Sequence, residues 1–63
     1  MMKRKKLIIA RKRKNLSQKT LGTRVGISRQ TIIDYESGRY MRMFDIMKKI
    51  SDELECSVDE LFF

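Results

Sequence analysis

Apolar residues recur at helical spacing in five short runs, separated by residues of the kinds that start and stop helices. The first run predicts a helix over residues 4–14, with Leu7, Ala10, Arg11 and Lys14 on one face. Asn15 follows, and Asn tolerates the left-handed conformation that closes a helix. Ile8 and Ile9 break the amphipathic pattern, so one of them is expected at the surface. The second helix starts at Ser17, whose hydroxyl can accept from an orphan backbone N–H. Leu16 staples onto Leu21 across that cap, Leu21 and Val25 form the apolar stripe, and Gly26 stops the helix. The third starts behind Ser28, places Ile32 and Tyr35 on one face next to Ile27, and runs to Tyr35 or Glu36 before Ser37 and Gly38 end it. The fourth spans Phe44–Leu54 and repeats Met43, Met47, Ile50 and Leu54. The fifth is short, with Ser57 as cap. Asp59 and Glu60 in its first turn complement the positive end of the helix dipole. Val58, Leu61 and Phe62 close the core. The expectation is an all-α, compact five-helix fold with tight connections.

The segment of residues 16–40 carries the most information. Two short helices join there through Val25, Gly26, Ile27 and Ser28. Glycine permits a left-handed turn that a side chain resists, and a short turn containing glycine between two helices marks a helix-turn-helix. Length and composition narrow the rest. Sixty-three residues hold one domain, here residues 1–63, with residues 1–5 expected as a flexible basic arm. A chain this small is marginally stable unless something reinforces it. One cysteine and no histidine exclude an internal disulfide and a zinc site, so no cofactor is expected, and helix packing and self-association are what remain. The five methionines read as core and interface filler. No apolar run approaches a membrane span, and Leu7 to Ala10 is too short to serve as a leader. A soluble, cytoplasmic protein is expected.

Charge then changes the picture. Met1 to Ile33 holds eleven Lys or Arg and no acid. Asp34 onward holds four bases against eight acids, for a net charge of +7. One strongly cationic half suits a polyanion on one side. At the start of the third helix stand Arg29 and Gln30, where a helix-turn-helix enters the major groove. Arginine can contact guanine and glutamine adenine, each through two hydrogen bonds. Ile33, one turn after Arg29, can touch a thymine methyl. Asp34 can accept from a cytosine amino group, or can hold Gln30 one turn earlier.

With these residues in place, the chain resembles the lambda-repressor/Cro-like helix-turn-helix family, also called the Xre family. The resemblance runs from about Leu7 to Phe62. It rests on Leu16-Ser17-Gln18, the turn Val25-Gly26-Ile27-Ser28, the opening Arg29-Gln30-Thr31-Ile32, the close Glu36-Ser37-Gly38 followed by Arg39, and the final Cys56-Ser57-Val58-Asp59-Glu60-Leu61-Phe62. The resemblance implies that Arg29, Gln30 and Asp34 face base edges. It implies phosphate contacts for Gln18 and Thr31, and for Arg39 and Arg42 in the following loop. Ser17, Ser28 and Lys14 are expected to join that phosphate-facing set. Arg11 and Glu36 match a pair that forms an internal salt bridge in relatives. Relatives often dimerise through the last helix, and Phe63 is surplus to the core pattern, so a homodimer through Phe62 and Phe63 is expected. Cys56 stands where relatives place a valine, so the resemblance implies a core residue there. Three features depart from the pattern: Gly22, where alanine is usual; Glu55, where glycine often ends the fourth helix; and the segment Met41-Arg42-Met43, in place of a loop that usually holds proline.

Three classes of function follow. The first is a sequence-specific transcriptional regulator of double-stranded DNA, most simply a repressor that binds a palindromic operator as a homodimer. The second is an antitoxin or protein-interaction module with the same fold and a protein partner, favoured by an apolar surface at Ile8, Ile9 and Phe63. The third, a basic peptide for RNA or membrane surfaces, conflicts with the acidic second half and with the lack of stacking aromatics on the basic half. An enzyme is not expected, because no nucleophile has a base.

Overall fold

The computed structural model describes residues 4–38 and 43–63, and within them the chain is all-helical. The order is α1 (Lys5–Arg13), α2 (Gln18–Val25), α3 (Arg29–Ser37), α4 (Phe44–Leu54) and α5 (Val58–Phe62). The local chemistry explains these limits. Ser17, Ser28 and Ser57 have extended backbones, and their hydroxyls accept from Thr20, Thr31 and Glu60 N–H, respectively. At α5 the Glu60 side chain also accepts from the Ser57 N–H, completing a capping box. Gly26 and Gly38 stop α2 and α3 in the left-handed region, at φ 81° and 79°. Asn15 does the same after α1 at φ 58°. Glu55 ends α4 at φ 59°, a conformation that costs an L-residue energy and that glycine adopts freely.

Leu7, Leu16, Leu21, Val25, Ile32, Tyr35, Met47, Ile50, Leu54 and Leu61 form the core, with Ala10, Ile27, Ile46, Cys56, Val58 and Phe62 packed around it. Ile9 is the exposed member of the Ile8–Ile9 pair. Helix α2 packs on α3 and α4, and α1 packs on α5 and α3. Gly22 lies at the α2–α3 contact. A Cβ there would stand 2.7 Å from the Ile27 carbonyl oxygen, so even alanine would force the turn to shift. The glycine is the residue this close approach requires, whatever it costs α2 in helix propensity.

The basic arm expected over residues 1–5 includes two residues that the fold holds. Lys5 lies in α1. Arg4 donates its backbone N–H to the Glu36 carbonyl at 2.8 Å and its guanidinium to the Tyr35 carbonyl at 2.8 Å. The same guanidinium sits 5.5 Å from the centre of the Phe62 ring.

Candidate nucleic-acid interface

Helices α2 and α3 begin alike. Ser17 and Thr20 open α2, and Ser28 and Thr31 open α3, each as Ser-x-x-Thr. In both, the serine oxygen accepts a backbone N–H and lies 2.9 Å from the threonine hydroxyl. Two hydroxyls hold two protons, and their mutual bond uses one. Each helix start therefore keeps one proton for an outside acceptor such as a phosphate oxygen. At α2 the Ser17 hydroxyl donates to Thr20, so the free proton belongs to Thr20 rather than to Ser17. Thr20 was not among the expected contacts, although the repeated Ser-x-x-Thr was its signal in the sequence.

Past the Gly26 turn, Arg29 and Gln30 are exposed in the first turn of α3. Thr31, Ile33 and Asp34 are half-buried. Gln30 donates its amide N–H to Asp34 Oδ1 at 3.1 Å, so of the two roles open to Asp34, holding Gln30 is the one its geometry supports. Arg39 and Arg42 lie outside the described residues.

Behind this surface Arg11 and Glu36 form a buried ion pair. Arg11 Nε donates to Glu36 Oε2 and Nη2 to Oε1 at 3.3 Å, while Nη1 reaches the Leu16 carbonyl at 2.8 Å. Gln18, expected at phosphate, donates its amide to Glu36 Oε1 at 3.0 Å. The first residue of α2 is thus tied to the C-terminal turn of α3 through the carboxylate of Glu36, whose side chain is 6% exposed. One amide hydrogen of Gln18 is spent inward, and its second remains for a phosphate.

Lys14 is also engaged. Its ammonium lies 2.6 Å from Glu55, and this hydrogen bond, then the lysine charge, hold the Glu55 carboxyl below its ordinary value. A phosphate would have to displace an exposed carboxylate to reach Lys14. Arg24 likewise meets Glu53 at 2.9 Å. At the far end, the Phe62 ring meets Tyr35 edge-on at 5.9 Å between centroids. Phe63 is 81% exposed. Only the second of the two phenylalanines expected at an interface is therefore a fully unspent surface.

Two helices crossing at a glycine turn, the second exposing its first turn, define a helix-turn-helix domain. The chain belongs to the helix-turn-helix family, in its lambda-repressor-like (Xre) form, whose family model matches residues 7–61. It is similar to the restriction-modification controller protein C.AhdI from Aeromonas hydrophila. The two share 29% identity at a TM-score of 0.82, over 92% of this chain and 84% of that one. Comparison with curated protein sequences gives no match. Family and fold are those of DNA-binding transcription regulators. Among the described residues no helix is long and apolar enough to cross a membrane.

Proposed function

We propose that the protein is a sequence-specific transcriptional regulator that reads the major groove with α3 and acts as a repressor, binding a palindromic operator as a homodimer. The observation that carries this reading is the exposure of Arg29 and Gln30 in the first turn of α3, beside two helix starts that each keep a hydroxyl proton for phosphate. Arg29 and Gln30 contact base edges, with Ile33 against a thymine methyl. Gln18, Thr20, Ser28 and Thr31 fix the register on phosphates, with Arg39 and Arg42 in the next loop. Phosphate contacts position the protein and base contacts specify the site. The similarity to a restriction-modification controller protein supports the regulatory role.

Selection from a randomised duplex at about 0.15 M salt, where nonspecific attraction is damped, tests the reading. The expected winner is a palindrome with half-sites one helical turn apart, about 34–36 Å. Arg29→Ala should cost about 1–3 kcal/mol on that site and relax one base pair per half-site. Enrichment of no sequence would overturn the reading.

A second reading has its own observation. Ile9 is 50% exposed and lines a groove of about 330 Å³ with Lys6, Ala10, Arg13, Cys56, Glu60 and Leu61. A groove lined by both apolar and charged side chains suits a protein-interaction module, such as an antitoxin. Co-purification of a second protein that Ile9→Glu abolishes would favour it.

A further inference from the structure

We propose that Asp34 is a positioning residue for Gln30, and that the pair is built to read adenine. The inference rests on the DNA-reading role above and deepens it by naming the base.

Asp34 lies one helical turn after Gln30, the spacing at which Gln and Asp side chains meet on a helix. The contact is Gln30 Nε2 to Asp34 Oδ1 at 3.1 Å. An ionised carboxylate only accepts hydrogen bonds. The amide nitrogen, and not the amide oxygen, must therefore face Asp34. This settles the one ambiguity of a glutamine reader, whose two ends exchange by a half-turn about the last bond. Of the two N–H groups, one goes to Asp34. When the hydrogen trans to the carbonyl is the one given to Asp34, the other N–H and the carbonyl stand side by side on the opposite edge of the amide.

That edge offers one donor beside one acceptor. Adenine offers the complement in the major groove, an acceptor at N7 and a donor at N6. Guanine offers two acceptors there, so its O6 would meet the glutamine carbonyl lone pairs. Cytosine and thymine offer a single polar group each. Direct contact of Asp34 with cytosine is disfavoured by the same geometry. One of its oxygens is committed to Gln30, the residue is half-buried, and its charge is repelled by nearby phosphates. Asp34 acts through Gln30.

The test uses the full chain and the duplex won by selection, with dissociation constants measured for all four bases at each position of one half-site. The native protein should prefer adenine at one position by about tenfold. Asparagine can donate as well as accept, so Asp34→Asn should free the amide to turn. Its adenine preference should fall to within about twofold, while binding to mixed-sequence DNA holds or rises as a negative charge is lost. Gln30→Ala should erase the preference at the same position, and the double variant should be no worse than Gln30→Ala. Asp34→Ala repeats the test with no replacement donor, and retained mixed-sequence binding shows that each variant is folded.

Survival of the adenine preference in both Asp34 variants would overturn the proposal. So would loss of a cytosine preference at a different base pair with the adenine preference intact. A native protein that selects no sequence at all would instead overturn the DNA-reading role itself.

Discussion

Glu36 has two carboxylate oxygens and receives three side-chain donors, two from Arg11 and one from Gln18. Both members of the ion pair are buried, so taking the two charges out of water was costly, and their attraction must offset that cost. Removing one partner strands the other without solvent. Glu36→Ala should destabilise the fold by about 3–5 kcal/mol, against a total of roughly 3–9 kcal/mol for a domain of this size. Urea denaturation should then find it largely unfolded or close to it. Replacing the pair together, as Arg11→Met with Glu36→Leu, should recover most of the loss, because two apolar side chains leave no charge behind. If the single and double variants are equally unstable, the pair is not the source of the effect. The match to relatives pointed to Arg11 and Glu36, but not to Gln18. The third donor comes from a residue eighteen positions away in the chain, and no periodicity reports that approach.

At the level of the element, the serine-capped helix starts and the left-handed helix ends are local events, and these were the most legible features. Ser17, Ser28 and Ser57 cap where their sequence context says they should, and Gly26, Gly38 and Asn15 turn the chain left-handed. The end of α4 was legible as an anomaly, since Glu55 stands where glycine is easier, and its φ of 59° is the physical content of that anomaly. What the pattern could not convey is the compensation, the ion pair from Glu55 back to Lys14 across forty-one positions. The pair is exposed, so its worth is small and screened. The relief of a left-handed backbone should exceed it, and Glu55→Gly should raise the melting temperature by a few degrees at neutral pH. The pH dependence separates the two contributions. Because Lys14 lowers the folded-state pKa of Glu55, the pair's contribution is complete above the unfolded carboxylate value. It is lost as pH falls through the lowered folded value. The advantage of Glu55→Gly over the native chain should therefore widen in acid, as thermal melts at neutral pH and below the carboxylate range can check. An advantage that shrinks in acid would contradict the assigned direction.

Over the whole molecule, the segregation of charge along the sequence is softened by the fold. Lys14 and Arg24 of the basic half meet Glu55 and Glu53 of the acidic half, and Arg11 is buried with Glu36. Fewer cations are left for DNA than the eleven the first half contains. Since each neutralised phosphate adds about 0.9 to the slope of log affinity against log salt, one copy of so small a domain has limited nonspecific affinity to build on. A second copy on an adjacent half-site multiplies it, which is the physical reason to expect a dimer. The surface offers apolar area for it: Phe63, Phe44, Met43 and Ile9 are all half or more exposed, Phe63 the most of the four. Phe62 contributes less, since it already packs on Tyr35 and under Arg4. Phe63→Asp puts a charge into the expected interface while leaving the core untouched. Sedimentation at micromolar concentration should show the native chain as a dimer and the variant as a monomer. The variant should still bind a single half-site with native affinity, but should lose the steep, cooperative occupancy of the palindrome. If it remains a dimer, the interface lies elsewhere on the apolar surface, and Phe44→Asp becomes the variant that should dissociate it. If the native chain is itself monomeric and binds the palindrome without cooperativity, the two-fold operator is the wrong picture, and each copy reads its site alone.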